Sequence, residues 1–248
     1  MDLNTKLIKR IVDVSYKAKE GHIASSLSIL DILIVLYKNF LIGTKNHFVL
    51  SKGHASLGLY TILENFGLLE ENLDDMCKYN SKLGGHPSNS IKYVEASTGS
   101  LGHGLPFGVG VALGEKIKKT NNKTFIIIGD GESNEGTIWE SALLASNHNL
   151  NNLYCIMDFN RSNDRALKLD NVISKFESFN WDCVEIDGHN QKEIFDSISK
   201  ESSGKPKFIL ANTIKGKGCK IMENNPEWHH KFPNEIEYQK IIDELSQF

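Results

Sequence analysis

Apolar residues recur at helical spacing near the start of the chain, where Leu3, Leu7, Ile8, Ile11 and Val14 fall on one face. Residues 28–40 repeat that pattern, and residues 55–66 predict a further helix. Between them, residues 47–50 read as a short strand. Glycine interrupts any regular spacing across residues 84–104, and an apolar helix follows from about residue 107 to 119. The second half alternates more evenly. Strands are predicted at 123–128, 153–158, 181–186 and 207–211, with helices at 136–149 and 191–199 and an amphipathic helix at 234–248. Continuous apolar strands alternating with helices predict an α/β fold, a doubly wound parallel sheet with helices on both faces. Neither an internal repeat nor a low-complexity linker breaks the 248 residues, so residues 1–248 read as one domain.

Charge and composition narrow the function classes. With 28 basic against 31 acidic residues and a net charge of −3, the chain lacks the electrostatics that would hold a nucleic acid. Its most apolar stretch, residues 27–37, contains Asp31 and is too short to span a bilayer. Charges at Asp2, Lys6, Lys9 and Arg10 argue against a signal peptide. Cys77, Cys155, Cys183 and Cys219 are widely spaced, without a C-x-x-C pair. They read as buried, reduced thiols of a cytoplasmic protein rather than as a disulfide framework or zinc site.

The sharpest local signal is Phe125-Ile126-Ile127-Ile128-Gly129-Asp130-Gly131, a buried strand running into Gly-Asp-Gly. A second strand, Leu153 through Asp158, runs into Phe159-Asn160. Parallel strands open on the same edge of a sheet, where α/β folds bind ligands, so Asp130 and Asn160 are expected to converge. One carboxylate, one amide oxygen and a nearby carbonyl suit Mg²⁺, which shares its octahedral sphere between few protein groups and phosphate oxygens. Glycines beside Asp130 let backbone approach a phosphate, and the helix after Glu135 offers N–H donors. Alone, Gly-Asp-Gly is equally what a turn would be.

Gly129-Asp130-Gly131 with Asn160 at this interval resembles the thiamine-diphosphate signature of transketolases, pyruvate dehydrogenase components and decarboxylases. Further segments resemble transketolase specifically: Gly21-His22, Leu50-Ser51-Lys52-Gly53-His54-Ala55, and Gly84-Gly85-His86-Pro87. They continue with Thr98-Gly99-Ser100-Leu101-Gly102-His103-Gly104, Asp130 through Gly136, Thr213 through Gly218, and Met222 through His229. The order is the family's from about residue 20 to residue 233.

The resemblance implies a thiamine-diphosphate-binding fold of the diphosphate-holding type. It implies that His22, His54, His86 and His229 are catalytic, contacting sugar hydroxyls, diphosphate or developing charge. His54, Gly99, Ser100, Leu101, Gly131, Glu135, Asn160 and His229 would meet the cofactor, with Glu135 also matching a residue at the family's subunit interface. Asp130, Asn160 and the Ser162 carbonyl match ligands of Mg²⁺, or of Ca²⁺ in its place. The sequence departs from the family at Ser100 and His103, where Pro and Gln are common, and in the polar segment Arg161 through Leu167. Arg161 and Arg165 read as loop charges able to reach a substrate phosphate, and neither His103 nor His230 has a role in the family pattern.

Full transketolases carry two further domains, one holding the glutamate and aromatic pocket around the cofactor's aminopyrimidine. The expectation is therefore a natural split subunit, although a truncated piece would read the same. It would pair, two plus two, with a C-terminal transketolase subunit carrying the pyrimidine-binding domain. The assembly would transfer a two-carbon ketol unit from a ketose, expected to be phosphorylated, to an aldose. The rival readings are a 1-deoxyxylulose-phosphate synthase-like carboligase and a non-catalytic binding or scaffold protein of the same fold.

Overall fold

The computed structural model describes residues 2–163, 167–202 and 204–247. Contacts divide the chain into two compact units, each discontinuous in sequence. The first comprises Met1–Ile34, Gly53–Ser97 and Ile214–Phe248; the second comprises Val35–Lys52 and Thr98–Thr213.

The second unit holds the sheet. Its strands are β1 (His47–Leu50), β2 (Thr124–Gly129), β3 (Leu153–Phe159), β4 (Asp182–Asp187) and β5 (Lys207–Asn212). They run parallel in the order β1-β2-β3-β5-β4. β2 is buried along its whole length and β3 to its penultimate residue, which explains their unbroken apolar runs. β4 is an edge strand and is mostly accessible.

Helices α5 (Gly104–Ile117), α6 (Gly136–Asn147), α7 (Val172–Ser178) and α8 (Gln191–Ser199) belong to the same unit. The connections from β1 to β2, to β3 and then to β4 move one way across the sheet, and β4 to β5 returns. Right-handed crossovers therefore place α8 on the face opposite α5, α6 and α7. Ring contacts agree, with Trp139 of α6 against Phe176 of α7, and Phe195 of α8 against Phe40 instead. The sheet is doubly wound, as the alternation predicts.

The first unit carries α1 (Leu3–Ala18), α2 (Ile23–Ser28), α4 (Ser56–Asn65) and α9 (Glu235–Leu245). Asp2 caps α1 through Thr5 N–H at 3.0 Å, and Asn234 with Glu237 forms a capping box on α9. The expected helix over residues 28–40 is broken. α2 ends at Ser28 with Ile29 as its C-cap, α3 (Leu30–Leu36) follows, and Tyr37–Leu41 forms a π-helical turn. Ile29, Leu30, Ile32, Leu33, Val35 and Leu36 are all buried, so no single apolar face specified one continuous rod. α5 begins three residues before the expected position, and α7 was not expected at all. Val172 and Phe176 are the buried residues of α7, too few to make a periodic signal.

The four cysteines are free, but not all are buried. Cys77 is exposed in a turn at φ +59° and Cys183, on edge strand β4, is only half-buried. Among the described residues no helix is long and apolar enough to cross a membrane.

Candidate cofactor site and histidine cluster

β2 and β3 pair with Gly129 opposite Asp158, and Asp130 N–H donates to the Asp158 carbonyl at 3.2 Å. The segments carrying Asp130 and Asn160 therefore leave neighbouring strands at one sheet edge. Asp130 is 6% exposed. Its Oδ1 accepts from Gly131 N–H at 2.7 Å, while Oδ2 is buried without a partner. Burial, and then the charge of Asp158, push its carboxyl above the usual range. A carboxylate in that position calls for a cation.

A Cβ on Gly129 or Gly131 would meet protein atoms only at 3.5–3.7 Å, ordinary contact, so packing leaves space beside both glycines. This donor set and that space fit a divalent cation with an attached diphosphate.

Asn160 is oriented by Asp158. Its Nδ2 donates to Asp158 Oδ2 at 2.9 Å, and its Oδ1 accepts from Ser162 N–H at 3.0 Å and from the Ser162 hydroxyl. The same Asp158 accepts from Lys52 Nζ and Thr213 Oγ1. Lys52 and Asp158 form an ion pair at 1% and 0% exposure.

Glu132, also buried, ties three segments together. Its Oε1 accepts from Gly102 N–H at 2.9 Å and from Ser51 Oγ, and its Oε2 from Gly129 N–H at 3.0 Å. Ser51 Oγ in turn accepts from Gly104 N–H at 3.1 Å. The loop of Gly99, Ser100 and Leu101, with Gly99 at φ +143°, thus runs directly into a segment fastened to the end of β2. Glu135 is exposed at the N-cap of α6. Arg161, at φ +58°, lies over the Phe159 ring, 5.5 Å from its centroid; Arg165 lies outside the described residues.

The histidines gather in the first unit. The His22 ring lies 5.3 Å from that of His54, 5.9 Å from His229 and 4.4 Å from His230, centroid to centroid. Tyr60 Oη donates to the His86 carbonyl at 3.1 Å. Burial first, and then the positive potential of His230, His229, His86 and Lys215, hold the His22 imidazole down at about 4, so it is neutral at pH 7. Lys215 Nζ lies 3.0 Å from His229 Nδ1. An ammonium can only donate, so Nδ1 accepts and the ring proton of His229 sits on Nε2.

Lys52, Asp158, Thr213 and Glu132 were not singled out from sequence, although each lies in or beside a quoted motif. A usable signal existed in Asp158, a lone charge in an apolar strand. Its partner Lys52 is more than a hundred positions away, and only the pairing of β1, β2 and β3 reveals it.

Comparison with known proteins gives the family. Residues 4–241 match the family described as transketolase, thiamine diphosphate binding domain. The chain is 36% identical to an apulose-4-phosphate transketolase subunit of Phocaeicola vulgatus, over 96% of this chain and 91% of the relative. It is 34% identical to the 6-deoxy-6-sulfo-D-fructose transketolase subunit of Clostridium sp. (strain MSTE9), over 92% and 89%. The transketolase of Campylobacter jejuni superposes with a TM-score of 0.87 at 30% identity, covering 99% of this chain and 43% of that one. The chain therefore spans about two fifths of the length of the solved transketolase it matches. It belongs to the transketolase family, as a thiamine diphosphate binding domain.

Proposed function

We propose that this chain is the diphosphate-holding subunit of a split transketolase, which transfers a two-carbon ketol unit from an anionic ketose to an aldose. Residues 1–248 then act as a single thiamine-diphosphate-binding domain. Asp130, Asn160 and the Ser162 carbonyl hold Mg²⁺, or Ca²⁺ in its place, against the diphosphate. Gly131, Gly99, Ser100, Leu101 and Glu135 lie along the cofactor. The observation that carries this reading is the buried, unpartnered Asp130 Oδ2 at the end of β2, beside an Asn160 whose amide is turned by Asp158.

When bound, thiamine diphosphate supplies the nucleophilic carbon and the electron sink for carbon–carbon cleavage. This chain's residues bind and orient. Asp130 brings the charge that a cation–diphosphate pair needs in a dry site. His229, proton on Nε2, donates to an oxygen of substrate or diphosphate, while neutral His22 exchanges hydrogen bonds with sugar hydroxyls. His54 and His86 complete the set that contacts the reacting sugar, His54 and His229 also meeting the cofactor.

The relatives named as transketolase subunits support a partner carrying the pyrimidine-binding domain, and we take the assembly to be two plus two, in the cytoplasm. Their named substrates, a sugar phosphate and a sulfo sugar, share a terminal anion, which supports an anionic ketose here. Both names are transketolases, which favours ketol transfer over a 1-deoxyxylulose-phosphate synthase-like condensation. Paired buried charges set behind a cation site are costly in a scaffold with no ligand to hold.

The test is calorimetric titration of thiamine diphosphate into the complex with its partner, with and without Mg²⁺. Binding that requires Mg²⁺ and is lost in Asp130→Ala is expected. Affinity unchanged by that substitution overturns the site.

A further inference from the structure

Glu20 and His230 belong to no part of the proposed site, yet they close around His22. One ligand atom from each of Glu20, His22 and His230 lies within 4.8 Å of the others. His22 Nδ1 is 3.8 Å from Glu20 Oε1, and His230 Nε2 is 4.0 Å from the same oxygen. The third side is within 4.8 Å, and at that limit the point equidistant from the three atoms lies about 2.5 Å from each. That is within a few tenths of an ångström of zinc's bonds to imidazole and carboxylate, roughly 2.0–2.2 Å.

Independent features point into the same spot. His22 Nδ1 is buried and has no hydrogen-bond partner. The backbone of His22 is left-handed, at φ +59°, an uncommon conformation for a residue other than glycine. A Cβ at Gly21 would meet the His230 backbone carbon at 2.9 Å, so glycine there allows His230 to approach the turn. A Cβ at Gly85 would press on Glu20 Oε1 at 3.1 Å. On the far side of the carboxylate, the Cys77 thiol reaches Glu20 Oε2 at 3.8 Å, as an outer partner that would orient a ligating carboxylate.

We propose that Glu20, His22 and His230 form a binding site for a borderline divalent transition-metal ion, Zn²⁺ foremost, with a remaining position open to water. Two imidazoles and one carboxylate select such ions over Mg²⁺, which prefers oxygen ligands throughout. His230 is 65% exposed, so the site is reached from solvent. If His22 contacts the sugar, which rests on the function proposed above, an ion held there withdraws it from substrate and Zn²⁺ inhibits the assembled enzyme.

The experiment titrates Co²⁺ and then Zn²⁺ into the purified chain in Mg²⁺-saturated buffer, followed by visible absorption and calorimetry. The expected result is one Co²⁺ per chain with the intense bands of low coordination, displaced by Zn²⁺. Glu20→Gln and His230→Ala should each weaken binding by at least about tenfold, the range lost when even an outer partner is removed. Asp130→Ala should leave it unchanged. Matching melting curves show that the variants fold. No binding, binding that survives His230→Ala, or binding lost in Asp130→Ala overturns the site. A failure of the thiamine diphosphate reading would show instead in the Mg²⁺-dependent titration, which uses neither Glu20 nor His230.

Discussion

The carboxylate of Asp158 accepts a hydrogen bond from Asn160 Nδ2 at 2.9 Å, and so determines which end of that amide is presented beyond β3. With the NH₂ end committed, Oδ1 is the acceptor, here taken by the Ser162 N–H and hydroxyl, and it is the atom a hard cation would take in place of the hydroxyl. Asp158 can do this inside the protein because Lys52 neutralises it and Thr213 donates to its other oxygen. The buried pair is thus joined to Asn160 by a direct hydrogen bond.

Breaking that pair should be expensive. Asp158→Asn leaves the Lys52 ammonium buried without its counter-charge, and a loss of about 3–5 kcal/mol is expected. Urea unfolding of the chain measures it. Lys52→Met combined with Asp158→Asn should cost less than the sum of the two single changes, since neither charge is then stranded. Additive losses would show that the two side chains are not coupled.

At Asp130 stability and binding should move in opposite directions. Asp130→Asn removes a buried carboxylate whose Oδ2 lacks a partner, so the cofactor-free protein should be as stable as the parent or more so. The same change should abolish Mg²⁺-dependent binding of thiamine diphosphate. Thermal melts without cofactor and calorimetry with it give both readings, and a destabilised variant that still binds would contradict the assignment.

The histidines should matter for turnover and the partner for any activity. His54→Ala and His86→Ala are each expected to lower ketol transfer by roughly a hundredfold or more, the scale for positioned acid–base groups, with cofactor still bound. The chain supplied with thiamine diphosphate, Mg²⁺, a ketose phosphate and an aldose phosphate should form no product until a pyrimidine-domain subunit is added. Ordinary turnover by the chain alone would place the complete active site here.

Acid stability should depend on Glu115. Its carboxylate accepts from Thr120 Oγ1 and Asn122 Nδ2, each at 2.6 Å, and from Lys118 Nζ at 3.2 Å, which holds it down at about 2 from 4.5. The unfolded chain binds this proton first as pH falls, so the contribution is complete above about 4.5 and lost progressively towards 2. Melting temperatures of Glu115→Gln should therefore fall less steeply than those of the parent across that window. Parallel curves would remove Glu115 from the acid limb.

Much was legible from local pattern alone. β1 and α8 have the residues that periodicity predicts, β3 and β5 run one residue further at their ends, and β2 and β4 are shifted by one residue; in β2, β3 and β5 burial leaves a clear apolar run. The Gly-Asp-Gly turn, Asn160 and the histidines were legible because short motifs carry them. What stayed hidden depends on neighbours remote in sequence. The segment expected as one helix over residues 28–40 is buried from Ser28 to Tyr37, and the position of a break inside apolar surroundings is settled by packing rather than by periodicity. The Lys52–Asp158 pair, the three segments fastened by Glu132 and the meeting of Glu20, His22 and His230 each join distant stretches of chain. A motif names residue types at a spacing. Which buried charge finds its counter-charge is decided by strand order and loop path, and a charge left alone in the interior costs more than any local preference can recover.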